Sequence, residues 1–221
     1  MQPIWHPSPN FGPRRDGLTP SLIVIHYTGM RGAPDALARL CDPASEVSAH
    51  YVIGTDGPLW QLVAEEMRAW HAGAGAWCRM EDINSRSIGI ELVNSGAQPF
   101  PEPQMQRLET LLHAVMARYA IPASQVIGHS DMAPERKEDP GPRFDWQRLA
   151  RQGLALWPDG LADERPLAQS CAEIGFPQAS PDKLLQAFRF RFHPTGQGPE
   201  TAQDRRRAAA VAAGSRASQR R

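Results

Sequence analysis

Cysteine is scarce: Cys41, Cys78 and Cys171 are the three in 221 residues. They are far apart, odd in number and without a Cys-x-x-Cys pair, which argues against a disulfide framework and against a cysteine-built zinc site. No apolar run approaches the roughly 18 residues that a membrane-spanning helix needs. The start, MQPIWHPSPNFGPRRDGLTP, lacks the charged opening and apolar stretch of a secretory signal. A charge excess is missing too: 24 Lys and Arg balance 24 Asp and Glu, so no global field points to nucleic acid. The helical His-Glu-x-x-His of one large class of zinc peptidases is absent. These absences lead to the expectation of a cytoplasmic monomer with neither a membrane span nor a nucleic-acid partner. A periplasmic or outer-membrane-associated protein is the alternative if an export signal is missing from this sequence.

What remains is ordinary globular material, 41% hydrophobic and 22% charged, enough for one medium domain and a small second unit. The first 20 residues hold Pro3, Pro7, Pro9, Pro13 and Pro20 without periodicity, which reads as an extended arm over a domain. SLIVIHYT is a short β-branched run, a buried central strand that delivers His26 at its end. PDALARL reads as a helix opened by proline, and SAHYVIGTDGPLWQLV as two strands turning at TDG. SIGIELVN alternates Ile88, Ile90 and Leu92 against Gly89, Glu91 and Val93. Residues 103–119 place Met105, Leu108, Leu112, Val115 and Tyr119 at helical spacing, and a turn and strand follow, ending at His129.

After FDWQRLARQGLALWPD, three helices are predicted, in LAQSCAEIGF, in SPDKLLQAFRFRFHP with Ser180 as its cap, and over 201–214. The last 22 residues carry six arginines against Glu200 and Asp204, a net of +4 (6 − 2), the pattern of a solvated basic tail. The fold class predicted is α/β: a mixed central sheet flanked by helices, followed by a small C-terminal three-helix module. Residues 1–157 form the first unit, 162–213 the helical module and 214–221 the tail.

Two strand-end histidines, His26 and His129, come with Asp139 ten residues past the second, in a segment stiffened by Pro140 and Pro142. Two imidazoles and a carboxylate suit zinc and leave a fourth tetrahedral position for a water. Asp131 and Glu138 compete with Asp139 as third ligand, and spacing does not decide among them. Hydrolysis at such a site also needs a group that moves a proton from water to the leaving amine. Glu91 in mid-strand is a candidate, balanced against a carboxylate on the solvated face of an edge strand. Lys137 is a candidate for stabilising an oxyanion, balanced against an exposed charge in the run ERKED. His71 in AWHAGAG reads as a loop wall beside a ligand or as a satisfied loop histidine, and His50, inside a strand, as structural or as a support behind the site residues.

VIHYT, VSAHYVIGTDG, RAWHAG, NSRSIGIELVN and GHSDMAPERKEDPGPRFDW, in that order over about residues 20–150, resemble the type 2 N-acetylmuramoyl-L-alanine amidases. This family is related to peptidoglycan recognition proteins, and DMAPERKEDPGP resembles its AmpD–AmiD branch. The resemblance implies zinc held by His26, His129 and Asp139, Glu91 as general base, Lys137 as oxyanion stabiliser, and His71 and Asn84 lining the substrate groove. The implied reaction is hydrolysis of the amide between the lactyl group of N-acetylmuramic acid, or its anhydro form, and the first L-alanine of the stem peptide, in cell-wall turnover or recycling. Muropeptide or peptidoglycan is the implied partner. Arg79 stands where that branch commonly has glycine, a departure that bears on substrate preference. The stretch LAQSCAEIGFPQASPDKLLQAFRFRFHPTGQGPETAQ resembles, less closely, a peptidoglycan-binding module. The alternative function is a protein of the same fold that binds peptidoglycan without cleaving it, although a pure binder has no need of the intact set of two histidines, aspartate, glutamate and lysine.

Overall fold

In the computed structural model, which describes residues 2–158 and 160–219, the chain opens with two short strands, β1 (Ile4–Trp5) and β2 (Phe11–Pro13), before β3 (Leu22–Tyr27). Helix α1 (Ala33–Cys41) carries Pro34 in its first turn, where a missing N–H costs nothing. The strands β4 (Tyr51–Ile53) and β5 (Leu59–Gln61) pair antiparallel around a turn in which Gly57 takes φ +90°. Then come β6 (Met67–Ala69), the single-turn α2 (Ile83–Arg86), β7 (Ser87–Leu92), α3 (Glu102–Tyr119), β8 (Val126–Gly128), α4 (His129–Met132) and α5 (Trp146–Ala150). The chain ends in α6 (Leu167–Ile174), α7 (Pro181–Phe192) and α8 (Ala202–Gln219).

The main sheet has six strands in the order β1-β5-β4-β7-β3-β8. Its pairings are parallel except for β4 with β5. Period-two alternation divides β3 between two cores. Ile23 and Ile25 join Ile88, Ile90, Leu92 and Val126 beneath α3, whose Met105, Leu108, Leu112 and Val115 are buried at the helical spacing expected. Each such side chain removed from water is worth about 1.5–3 kcal/mol. Leu22 and Val24 face the other way and share a core with Ile127, Met132, Leu167, Cys171, Phe188, Phe192 and Val211. The three C-terminal helices therefore pack onto the sheet itself. His26 follows Leu22 and Val24 on this second face.

Three details differ from expectation. The N-terminal arm is built into the sheets, β1 pairing with β5 and β2 with β6, and Arg14 donates to the carbonyls of Glu65 (2.7 Å), Ser85 (2.9 Å) and Ser87 (3.1 Å). Strands of two and three residues have no period to detect. His129 begins the helical turn α4 instead of closing a strand. The helix expected over 201–214 continues to Gln219; Arg220 and Arg221 of the expected tail lie outside the described residues. Among the described residues no helix is long and apolar enough to cross a membrane.

Candidate metal centre

Strands β7, β3 and β8 run side by side and parallel, so their carboxyl ends open on the same edge, where α/β sheets place their ligands. In register, His26 lies opposite Glu91, and Ile25 opposite Gly128, which puts His129 one step beyond. Asp139 arrives from the loop after α4, and the two loops are tied by Ser130 N–H donating to the Asp139 carbonyl at 2.9 Å. His26 Nδ1 and His129 Nδ1 are 2.9 Å apart, and Asp139 Oδ2 lies 2.9 Å from the first and 3.0 Å from the second. The structure brings together Asp139, not its two competitors. Asp131 is buried against Gly128 and Arg191, while Glu138 is exposed with Lys183 as its ion partner at 4.0 Å.

The outer partners of the two rings assign their tautomers. His129 Nε2–H donates to the Ala72 carbonyl at 2.9 Å, which leaves Nδ1 as a bare lone pair. For His26 the assignment runs through a relay. Ser87 Oγ–H donates to the Ile83 carbonyl (2.6 Å), so Ser87 Oγ accepts from His71 Nε2–H (3.1 Å), and His71 Nδ1 accepts from His26 Nε2–H (3.0 Å). The His26 Nδ1 lone pair then faces the centre. Burial, followed by the neighbouring His129, lowers His26 to about 4, and burial with the neighbouring imidazoles holds His71 well below its ordinary value, so both rings are neutral near pH 7. Two lone pairs and a carboxylate oxygen facing one another at about 3 Å repel unless a cation lies between them. The donor set, two imidazole nitrogens and a carboxylate with outer hydrogen bonds fixing both rings, fits a divalent metal.

The loop behind this centre is fastened from several sides. Asn84 Oδ1 accepts from the backbone N–H of His71 (3.0 Å) and Ala72 (2.8 Å). Asn84 is itself 6% exposed. Asn84, expected to line the groove, is thus fastened through its Oδ1 to the backbone of this loop, and it bears on the centre through the loop it holds. His71 does border the cleft, yet both its nitrogens are engaged. A Cβ on Gly89 would lie 2.4 Å from His71 Cγ, so only glycine lets this ring rest on the sheet. Beneath it, His50 Nδ1 accepts from Gly89 N–H at 3.0 Å, the structural role expected of His50. Arg136, which sequence reasoning passed over, donates to the Ala72 and Ala74 carbonyls and closes the loop from outside.

The centre opens into a cleft of about 210 Å³ whose walls include Glu91, Lys137, Tyr27, Arg39 and Trp70. Glu91 Oε2 is buried without a hydrogen-bond partner. Burial first, then the charge of Asp139, pushes Glu91 up to about 8, and Lys137 opposes the shift. Arg39, Tyr27 and Trp70 carried no sequence signal, because a wall residue needs no particular spacing. Arg79 is exposed and does not border the cleft.

Comparison with known proteins agrees with this geometry. The family model described as N-acetylmuramoyl-L-alanine amidase (Amidase_2) matches residues 16–142. The N-acetylmuramoyl-L-alanine amidase AmiD of Escherichia coli is 38% identical over 210 residues, 79% of this chain and 75% of that protein. The 1,6-anhydro-N-acetylmuramyl-L-alanine amidase AmpD of Citrobacter freundii is 40% identical over 160 residues, 65% of this chain and 86% of that protein. The solved complex of AmiD from E. coli with the substrate anhydro-N-acetylmuramic acid-L-Ala-D-gamma-Glu-L-Lys superposes with a TM-score of 0.79 at 34% identity, covering 90% of this chain and 89% of that one. With its parallel strand ends, its His-His-Asp centre and these relatives, the chain belongs to the N-acetylmuramoyl-L-alanine amidases and is a hydrolase of that class.

Proposed function

We propose that this chain is a zinc-dependent amidase that cleaves the amide between N-acetylmuramic acid, in its anhydro form, and the L-alanine of peptidoglycan fragments during cell-wall recycling. The observation that carries the reading is the convergence of the His26, His129 and Asp139 donor atoms at the mouth of a cleft that also holds the unpartnered Glu91. The substrate class follows from the relatives, two of which are named for muramyl-L-alanine amides and one solved with an anhydromuramyl tripeptide.

In this reading His26, His129 and Asp139 hold the zinc. Bound there, zinc supplies a Lewis acid for the amide carbonyl and lowers the pKa of an attacking water. Glu91 in its carboxylate form takes the proton from that water, and the carboxylic acid so formed, the state its burial favours, returns the proton to the alanine nitrogen as the C–N bond breaks. Lys137, also on the wall of the cleft, donates to the oxygen on which charge develops. His71 keeps His26 in the tautomer that presents Nδ1. The C-terminal helices supply a second groove, of about 910 Å³ between α7 and the segment 194–200, which we assign to binding of cell wall. Three unpaired cysteines suit a reducing compartment, the cytoplasm.

The test is mass-spectrometric product analysis of the zinc-loaded chain with two muropeptides, one ending in anhydro-muramic acid and one in ordinary muramic acid. Peptide release from the anhydro substrate alone is expected. Release from both would discard the anhydro restriction, and release from neither, with zinc confirmed in the protein, would sink the amidase assignment.

A further inference from the structure

Arg191 on α7 is 1% exposed, an unusual depth for a guanidinium. Its Nη1 donates to Asp131 Oδ2, its Nη2 donates to the Val126 carbonyl at 2.9 Å, and its carbon atom Cζ sits 4.5 Å from the Trp146 ring centre and 4.8 Å from that of Phe192. Asp131 Oδ2 also accepts from Gly128 N–H at 2.8 Å. These contacts bracket His129 on both sides: Val126 and Gly128 precede it in β8, and Asp131 follows it in α4. The same turn holds the second loop through Ser130 N–H and the Asp139 carbonyl. Among the described residues, Arg191 is the sole charged partner of Asp131, which is 1% exposed. A carboxylate so deep survives as an anion only beside a cation.

From this geometry we infer that Arg191 is a positioning residue for the metal centre, and that α7 is thereby part of the catalytic unit: it holds the β8–α4 turn so that His129 and Asp139 present their donor atoms together. The inference rests on the reading of His129 and Asp139 as zinc ligands. It assigns to the C-terminal helices a task separate from any contact with cell wall. Lysine cannot replace this arginine, because a single ammonium does not reach the Asp131 carboxylate and the Val126 carbonyl with a planar fork.

The experiment compares full-length Arg191→Lys with full-length Arg189→Lys. Arg189 lies on the same helix but bonds Asp204 and the Gly198 and Pro199 carbonyls, away from the sheet. Zinc affinity is measured by chelator competition, alongside Tm, kcat and KM. Arg191→Lys is expected to bind zinc about tenfold more weakly, with kcat lowered and KM near wild type. Arg189→Lys is expected to lower Tm while leaving zinc affinity unchanged. Wild-type zinc affinity in Arg191→Lys overturns the inference, and so does equal weakening in Arg189→Lys, since helix stability alone would then account for it. Should Arg191→Lys fail to fold, the pair Asp131→Asn with Arg191→Met removes both buried charges together, and wild-type affinity in that chain overturns the inference equally. His129→Ala separates the two levels: if it keeps full zinc affinity, the ligand assignment falls and takes the inference with it.

Discussion

The molecule contains two buried clusters in which histidine meets aspartate at hydrogen-bond distance, and they have opposite character. In the C-terminal helices, Asp204 is fully buried, with Oδ1 2.7 Å from His193 Nδ1 and accepting from Arg189 Nε at 3.0 Å. Its Oδ2 accepts from Arg189 Nη2 (2.6 Å), Thr201 N–H (2.9 Å) and Thr201 Oγ1 (2.8 Å). The carboxylate there is saturated, and its charge is balanced by an arginine of the chain. At the strand ends, Asp139 Oδ2 faces two imidazoles, no Lys or Arg among the described residues is bonded to it, and a cleft opens alongside. A His–Asp contact is thus not by itself a mark of function. The difference lies in the balancing charge: the chain supplies it in one cluster, and in the other the donor set leaves it to the metal of the proposed function.

Removing one side chain from each cluster breaks the comparison most sharply. His129→Ala is expected to lose bound zinc and turnover together, whereas Asp204→Asn is expected to retain one zinc per chain and near-normal kcat at a temperature where it is folded. Metal analysis of both purified chains decides this, and zinc loss in Asp204→Asn would erase the distinction. Glu91→Ala comes next: zinc stays, because Glu91 is outside the donor set, while kcat falls by about two to four orders of magnitude, the usual worth of a general acid–base. A near-wild-type rate would remove Glu91 from the mechanism. Gly89→Ala is expected to do less. The added methyl, 2.4 Å from His71 Cγ, displaces the ring that fixes the His26 tautomer, and zinc affinity drops by about 10- to 100-fold. Unchanged affinity in a folded Gly89→Ala chain would show that the His71 relay does not matter.

Much of this was legible in the sequence, and the exceptions have physical causes. His26 and Glu91 stood out because alternation in two β-branched runs fixes which face each occupies and because both runs read as strands. Asp139 could not be separated from Asp131 by spacing, since both follow His129 closely and only the fold of the intervening loop turns one inward. Asn84 was read as a groove residue from its place in a motif. A motif reports that a residue is needed near a site, not that its Oδ1 is taken up by backbone N–H groups. The C-terminal segments read as helices, which does not say what their buried faces pack against; their partner is the back of β3. Arg191, in the run FRFRFHP, carries the ordinary signature of a solvated helix charge, and its ion pair with a residue 60 positions earlier exists only in three dimensions.

The smallest expected effect is a matter of pH, and it addresses the closed cluster alone. Burial by itself would raise the Asp204 carboxyl, but the bonds from Arg189, His193 and Thr201 outweigh it and hold the folded-state pKa below the ordinary value. A carboxyl depressed on folding contributes stability that is fully present above its unfolded pKa and is lost as pH falls through its folded one. The unfolded value lies near 3.9. At pH 7, Asp204→Asn is therefore expected to be less stable than wild type by about 3 kcal/mol, the scale for breaking a buried pair. That gap should hold down to about pH 5 and narrow below about pH 4, where the wild-type carboxylate begins to take up its proton. Thermal unfolding of both chains across that range measures it. Because Arg189, not a metal, balances this cluster, the gap should also be the same with zinc bound and with zinc removed by chelation. A gap that widens in acid would refute the depressed carboxyl, and one that depends on zinc would show that the two clusters are energetically joined through the core that α7 shares with β3.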